Sequence, residues 1–162
     1  MSYSIKYHLK YNYWANTRLA EAIKQLTDEQ LDRELVSSFP SVRKTLYHLW
    51  DAELIWLKRI QGEALSTWPS SEFNGSTQDM LSLFVGNSKA LAEFIEGKEE
   101  DFLNGTLTYK NMKGDEFTNR IEDMLFHVVN HGSFHRGQII TLLRQLGLTK
   151  FQSMDLITYM RQ

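Results

Sequence analysis

Apolar side chains recur at the spacing of an amphipathic helix in four long stretches of the chain. The first stretch runs from Tyr3 to about Leu26, the second from Val42 to Gln61, the third from Ser76 to about Glu96 and the fourth from about Asn119 to Leu146. A period near 3.6 residues places the apolar positions of each stretch on one helical face. The pattern therefore predicts four long helices that pack their apolar faces around a common core.

Polar residues at the ends of these stretches indicate where helices begin. Ser41 and Ser76 each stand directly before a long apolar-periodic stretch, as an N-cap residue does. Thr27 with Gln30 three residues later has the form of a capping box. This pair predicts a separate short helix from Asp28 to Leu35.

The remaining segments complete a mostly α fold. Leu65 to Gly75 carries the local signals of a loop, and Ser153 to Tyr159 is predicted to be a short final helix. Thr106–Tyr109 and Glu116–Thr118 are β-rich and flank a turn at Gly114. The sequence thus predicts a four-helix bundle with a small β-hairpin before the last long helix, formed as a single domain of residues 1–162.

Composition limits the classes of partner. The chain has 162 residues, of which 42% are hydrophobic and 23% charged, with a net charge of -2. This balance is typical of a globular domain and gives no basic footprint for nucleic acid or for an anionic membrane surface. Lys6, His8 and Lys10 interrupt the stretch where a signal peptide would be apolar, and no later run is long enough to span a membrane. We therefore expect a cytoplasmic protein without nucleic-acid or membrane partners.

The sequence contains no cysteine. Disulfides, zinc sites with cysteine ligands and a protein thiol nucleophile are therefore excluded. Any metal site in this chain must use nitrogen and oxygen ligands.

Three of the five histidines lie on the fourth predicted helix at successive spacings of four, namely His127, His131 and His135. Two imidazoles spaced in this way can converge on one metal ion. His131 and His135 lie within or beside the core-facing stripe, which favours such a pair. The residues between them are Gly-Ser-Phe, so the glutamate of the helical metalloprotease motif is missing. From spacing alone, the two histidines are either metal ligands or solvated or hydrogen-bonded core residues.

The second predicted helix carries two further polar residues of interest. A helical wheel places His48 on the flank of the apolar stripe and Glu53 near its middle. An unpaired carboxylate in that position would be costly. Glu53 is therefore expected to have a partner on another helix or across a dimer interface, unless its end reaches solvent.

Three strings of residues resemble the DinB/YfiT family of metal-dependent proteins. They are YNYWANTRL at residues 11–19, LYHLWDAE at residues 46–53 and NHGSFHRGQ at residues 130–138. The resemblance covers nearly the whole chain and implies a four-helix bundle that is often a homodimer. It also implies one divalent metal ion held by His48, His131 and His135. Zinc and nickel are the favoured ions because imidazole suits borderline metals.

The resemblance leaves three functions open. Three nitrogen ligands leave at least one coordination position free, as in catalytic rather than structural zinc sites. Relatives of this fold include transferases that add a low-molecular-weight thiol, such as bacillithiol, mycothiol or glutathione, to small electrophiles, and a related isomerase. The alternatives are a metal-dependent hydrolase, with Asp51 as candidate general base, and a non-catalytic, stress-related metal-binding dimer. No catalytic residue is assigned, and the substrate is expected to be a small molecule.

Residues around the expected metal site raise further hypotheses. Buried ligand histidines need acceptors for their second ring nitrogen, and Asn12, Asn16, Asp51 and Glu53 are the candidates.

The other residues of the fourth helix leave more than one role open. In the family pattern His127 is not a ligand, and we expect it to be a hydrogen-bonded edge residue. Arg136 and Gln138 belong to the motif. They either bind an anionic group of the substrate or tie this helix to its neighbours.

Overall fold

The computed structural model describes residues 4–162, and long helices make up most of it. The helices are α1 (Ile5–Ile23), α2 (Asp28–Asp32), α3 (Val42–Ile60), α4 (Thr77–Glu96), α5 (Glu100–Asn104), α6 (Ile121–Gln145) and α7 (Leu156–Met160), with strands β1 (Thr106–Lys110) and β2 (Glu116–Arg120) before α6. The mostly α fold with one hairpin before the last long helix is confirmed. The expected start of the first helix at Tyr3 lies outside the described residues.

Side-chain caps fix the helix starts that the sequence indicates. The Ser41 hydroxyl accepts a hydrogen bond from the backbone N–H of Lys44 at the start of α3. Capping boxes close the first turns of α2 at Thr27 and of α4 at Ser76. Each cap satisfies N–H groups that have no partner within the helix. The predicted starts of these three helices are therefore confirmed.

The core lies between the four long helices. α1 packs against α4 and α6, and α3 packs against α6 and α4. Several large side chains are completely buried there: Ile5, Leu19, Leu46, Leu49, Phe84, Leu91, Leu125 and Ile139. Burying a side chain of this size contributes about 1.5–3 kcal/mol. This apolar packing holds α3 beside α6, the pair of helices that carries the candidate site.

The hairpin stands between α5 and α6. β1 and β2 pair antiparallel, with Thr106 opposite Arg120 and Lys110 opposite Glu116. At the turn, the Asn111 side-chain oxygen accepts from the backbone N–H groups of Lys113 and Asp115. Gly114 has φ +90° there, a conformation that glycine adopts without strain. The turn chemistry explains why the chain reverses at this glycine.

Some helix boundaries differ from those predicted from the sequence. α2 ends at Asp32 rather than Leu35. A short helix that the sequence pattern did not predict, α5, forms between α4 and the hairpin. α6 begins at Ile121 because the two preceding residues pair in β2. The final helix is shorter than expected and spans Leu156–Met160. Short helices lack the several turns that make a periodic pattern clear.

None of the helices in residues 4–162 combines the length and the apolar character needed to cross a membrane.

Candidate metal centre

Three histidines from two helices meet at the seam between α3 and α6. His48 lies on α3, and His131 and His135 lie one turn apart on α6. The Nε2 atoms of His48 and His131 are 3.0 Å apart, and one ring nitrogen from each of the three residues lies within 4.8 Å of the others. The ring centroids of His131 and His135 are 4.3 Å apart. The structure therefore brings together the three residues that the resemblance implies as ligands.

The placement of His48 differs from its position on the helical wheel. The wheel puts it on the flank of α3, whereas α6 approaches that flank and partly buries the ring. Ile55, on the same side of α3, is also buried. The side of α3 that carries His48 and Ile55 therefore faces a neighbouring helix. A hydrophobic pattern within α3 alone does not show this.

Gln138 orients the His135 ring. The Nδ1 atom of His135 lies 2.7 Å from Oε1 of Gln138, one turn further along α6. Because a carbonyl oxygen only accepts, Nδ1 carries the proton and the lone pair of His135 is on Nε2. The Gln138 amide group in turn contacts the Ser38 hydroxyl at 3.5 Å. Gln138 is thus the partner of a candidate ligand histidine and not a free substrate-binding group.

The cluster favours neutral imidazoles. Burial, with the neighbouring rings of His135, His48 and His127, lowers the pKa of His131 to about 3. Burial and the neighbouring His135 also lower the pKa of His48, and burial lowers that of His135. Neutral imidazoles offer the nitrogen lone pairs that a metal ion requires. The donor set therefore fits a divalent ion of the borderline class.

Phe39 covers one side of the cluster. Its ring stacks on His48 with centroids 4.3 Å apart and an interplanar angle of 22°, and it meets His135 edge-on at 5.8 Å. Phe39 lies in the loop between α2 and α3, which is closed by the hydrogen bond from the Leu35 N–H to the Pro40 carbonyl. The sequence pattern gives no signal for this contact, because Phe39 lies outside every periodic stretch.

A small cavity lies on the other side of the cluster, towards the hairpin. The His127 ring lies 5.7 Å from the His131 ring and 5.5 Å from Trp56, measured between centroids. Trp56 in turn meets Tyr109 of β1 at 5.1 Å. Together with Asn119 and neighbouring residues of α6 they line a cavity of about 260 Å³. His127 is exposed, as expected of an edge residue, but within residues 4–162 its side chain makes ring contacts and no hydrogen bond, so the hydrogen-bonding part of the expectation is not supported.

Asp51 faces away from the imidazoles. Its Oδ1 accepts from the backbone N–H of Ser70 at 2.7 Å, and its Oδ2 accepts from the Ser70 hydroxyl at 2.5 Å. Both oxygens therefore anchor the 3₁₀ turn Pro69–Ser71 in the loop between α3 and α4. The hypotheses that Asp51 serves as a general base or as an acceptor for a ligand histidine are not supported.

A buried polar network joins α1, α3 and α6 beside the metal centre. Nη1 of Arg136 donates to the side-chain oxygens of Asn12 at 2.7 Å and Asn16 at 2.8 Å, and Asn12 donates from Nδ2 to Oε2 of Glu53 at 2.8 Å. Nη2 of Arg136 donates to the Ser133 hydroxyl at 2.9 Å. Glu53 is only 2% exposed, so its end does not reach solvent. Its expected partner on another helix is Asn12.

The network separates the roles that the sequence left open. Asn12, Asn16 and Glu53 bond to one another, to Arg136 or to Ser88, and not to the histidines, so they are not acceptors for the candidate ligand rings. Arg136 ties α6 to α1, whereas Gln138 holds the candidate ligand His135. Burial raises the pKa of the Glu53 carboxyl and lowers that of the Arg136 guanidinium. Only the spacing of Gln138 three residues after His135 could have indicated its role from sequence.

Comparisons with known proteins agree with this architecture. The model of the DinB family matches residues 1–162. Protein DinB of Bacillus subtilis (strain 168) is 32% identical over 145 residues, which cover 85% of this chain and 83% of that protein.

Two solved structures from Bacillus subtilis share the fold at low sequence identity. YfiT, described as a probable metal-dependent hydrolase with an unusual four-helix bundle topology, superposes with a TM-score of 0.71 at 16% identity, over 92% of this chain and 91% of that one. The DinB-like protein YjoA superposes with a TM-score of 0.68 at 16% identity, over 93% and 97%. At 16% sequence identity, the two superpositions show a shared fold and nothing further about function.

Proposed function

Because this chain belongs to the DinB family, we propose that it is a metal-dependent enzyme whose single divalent ion, zinc or nickel, is held by His48, His131 and His135. The reaction is the transfer of a low-molecular-weight thiol to a small electrophile. The observation that carries the proposal is the convergence of three neutral imidazoles, with their ring nitrogens within 4.8 Å of one another.

Two neighbours of the ligand residues have separate tasks in this proposal. Gln138 keeps the Nδ1 proton of His135 in place, so that Nε2 is always available as a donor. Phe39 excludes water from the His48 side of the cluster. A divalent ion bound there would supply Lewis acidity, which lowers the pKa of a thiol or a water molecule that enters the position the three histidines leave.

Two features favour a thiol over water as the nucleophile. A free thiol has a pKa near ~8.5, against ~15.7 for water, so it needs far less activation to become an anion at neutral pH. Asp51 is the carboxylate nearest to His48 along α3. Both of its oxygens accept hydrogen bonds from Ser70, so it is not available as a base. Because the chain has no cysteine, the sulfur must arrive on a cosubstrate.

The electrophile is assigned to the cavity beside His127. Its walls of Trp56 and Tyr109 are aromatic, and its volume of about 260 Å³, a little below the range of about 300–1,000 Å³ for small-molecule sites, suits one planar group of the electrophile. The thiol sulfur would form its bond to an electrophilic carbon at the boundary between this cavity and the cluster. The thiol proton passes to solvent, and a displaced group leaves with its electron pair.

Hydrolysis is the second candidate function. It is favoured by the description of the structural neighbour YfiT as a probable metal-dependent hydrolase. The same ligands would serve, with water in place of the thiol. If the protein catalyses neither reaction, its function is metal binding without catalysis.

Metal analysis of the untagged protein tests the site. We expect one equivalent of divalent ion per chain after reconstitution with zinc or nickel. His48→Ala and His135→Ala should each abolish stoichiometric binding, whereas the matched control His127→Ala should retain it. Unchanged binding in His48→Ala would refute the proposed ligand set.

A cobalt-substituted sample distinguishes the two reactions. Titration with bacillithiol, mycothiol or glutathione should change the visible spectrum of the cobalt ion if the thiol enters its coordination sphere. A sample that binds cobalt but responds to none of the thiols, and that cleaves ester substrates, would favour hydrolysis.

A further inference from the structure

A second cleft lies on the opposite side of α6 from the histidines. It has a volume of about 550 Å³ and is bounded by α6, by Tyr11 of α1 and by the C-terminal segment from Thr149 to Leu156. On a helix with about 100° per residue, Ser133, Ile140 and Arg144 project roughly opposite to His131. The cleft is therefore separate from the candidate metal centre, and its volume lies within the range of about 300–1,000 Å³ that small-molecule sites have.

The floor of this cleft contains a buried cation with neutral contacts. Arg136 lines the cleft and is only 3% exposed. Within residues 4–162, its guanidinium donates to the side-chain oxygens of Asn12, Asn16 and Ser133, and it lies 5.5 Å from the centroid of the Tyr11 ring. All four of these partners are neutral. The Glu53 carboxylate lies one side chain further away, behind Asn12. Glu53 and Arg136 interact electrostatically across Asn12, but within residues 4–162 no carboxylate contacts the guanidinium directly. An anion in the cleft would be its first direct anionic partner.

The wall of the cleft adds a second cation. Arg144 projects from α6 eight residues after Arg136, and its guanidinium lies over the Phe151 ring at 5.4 Å. Arg144 is exposed, so its charge is accessible from solvent. The acidic residue of the lining is Asp155, whose carboxylate accepts from the Ser153 hydroxyl at 3.0 Å. Two arginines against one carboxylate leave the lining with a net positive charge.

The rest of the lining matches an organic molecule better than a bare ion. Ile140, Met154 and Leu156 present apolar surface, while the Thr149 hydroxyl and the Gln152 amide add hydrogen-bonding groups. The C-terminal wall is held to the bundle by two bonds. Tyr11 donates to the Met154 carbonyl at 3.0 Å, and Arg18 donates to the Ser153 carbonyl at 2.6 Å.

We propose that this cleft is a binding site for a small organic anion, a carboxylate or phosphate ester with an apolar body. The charged group binds to the Arg136 and Arg144 side of the cleft, and the body packs on Ile140 and Leu156. The site does not depend on the metal centre, because it uses the other face of α6.

The test uses metal-free protein, so that an anion cannot bind to a metal ion. Calorimetric titration with phenyl phosphate and with benzoate should each give saturable binding, and the stronger of the two identifies the preferred anion. Benzyl alcohol, which has the same ring without the charge, should not saturate. In ¹H–¹⁵N spectra, the shifts should concentrate in the C-terminal segment around Phe151 and Ser153.

Variants of the exposed arginine make the test specific. Arg144→Gln should weaken the binding of the preferred anion about tenfold, as expected for loss of a hydrogen bond to a charged group, and Arg144→Lys should weaken it less. The matched control Arg33→Gln changes an exposed arginine outside the cleft and should leave binding unchanged. Equal binding by wild type and Arg144→Gln, equal binding of benzyl alcohol, or shifts confined to the histidine cluster would each overturn the inference. Absence of saturable binding by either anion would also overturn it.

Discussion

A single methyl group added at Gly132 should disturb the buried polar network between α1 and α6. A Cβ atom there would lie 2.7 Å from Oδ1 of Asn12 and 2.9 Å from Nη1 of Arg136, closer than real Cβ contacts. Both atoms are held by hydrogen bonds, and their side chains are 1% and 3% exposed. Gly132→Ala therefore forces apart a buried hydrogen-bonded pair, and moving either side chain also strains its bond to Asn16 or Glu53.

The cost follows from three contributions. Overpacking a filled core costs about 1–3 kcal/mol. Losing the bond between Arg136 and Asn12 leaves buried polar atoms unsatisfied, at about 1–3 kcal/mol. The higher helix propensity of alanine offsets about 1 kcal/mol. We expect the free energy of unfolding to fall by about 3 kcal/mol, which lowers Tm by about 6–12 °C in a domain of this size.

Gly137→Ala is the matched control on the same helix. No atom lies within 4 Å of a Cβ built at Gly137. The only effect is then the higher helix propensity of alanine, and the free energy of unfolding should rise by about 0.5–1 kcal/mol. Urea unfolding of the metal-free proteins, followed by circular dichroism, measures both variants. Equal stability of Gly132→Ala and Gly137→Ala would refute the reasoning, because the two substitutions would then differ only in position along the helix.

Three further predictions concern the site and its surroundings. Gln138→Leu should keep the metal stoichiometry but weaken affinity about 10–100-fold, since His135 loses its orienting acceptor; unchanged affinity in a competition titration would contradict this role. The pKa of His131 is lowered from 6.5 to about 3, so the folded metal-free protein resists protonation that the unfolded chain accepts, and stability should fall as pH decreases from about 6.5 towards 3. His131→Gln should flatten this part of the stability profile, and an unchanged slope would count against it. Ser70→Ala removes the hydroxyl bond to Asp51 but keeps the backbone one, and should cost about 1 kcal/mol in urea unfolding without changing metal content, whereas loss of metal would link Asp51 to the site.

The features that the sequence predicted well are local ones. The capping boxes at Thr27 and Ser76 and the turn at Gly114 depend on residues three or four apart, so a pattern read along the chain identifies them. The four long helices follow from periodicity in the same way. The three candidate ligand residues came from resemblance to a family, since the helical wheel alone left His48 on a flank.

Contacts between helices account for what the sequence did not predict. Whether Asn12 bonds to a histidine or to Glu53 depends on how α1 is rotated against α3, which no single helix encodes. Phe39 reaches His48 only because a loop folds back over α3. The partners of Asp51 are likewise set by the path of the loop after α3.

The bonds from Arg136 to Asn12 and Asn16 have a consequence for how metal binding relates to folding. They fix the rotation of α6 against α1 through protein groups alone, one residue away from the ligand His135. In small zinc domains the ion itself organises the chain, so removing it causes unfolding. Here protein groups already order the bundle, so the free energy of binding an ion at the proposed ligands would go into affinity and not into ordering the backbone. An ion at the three histidines would then be able to exchange for another while the fold stays intact.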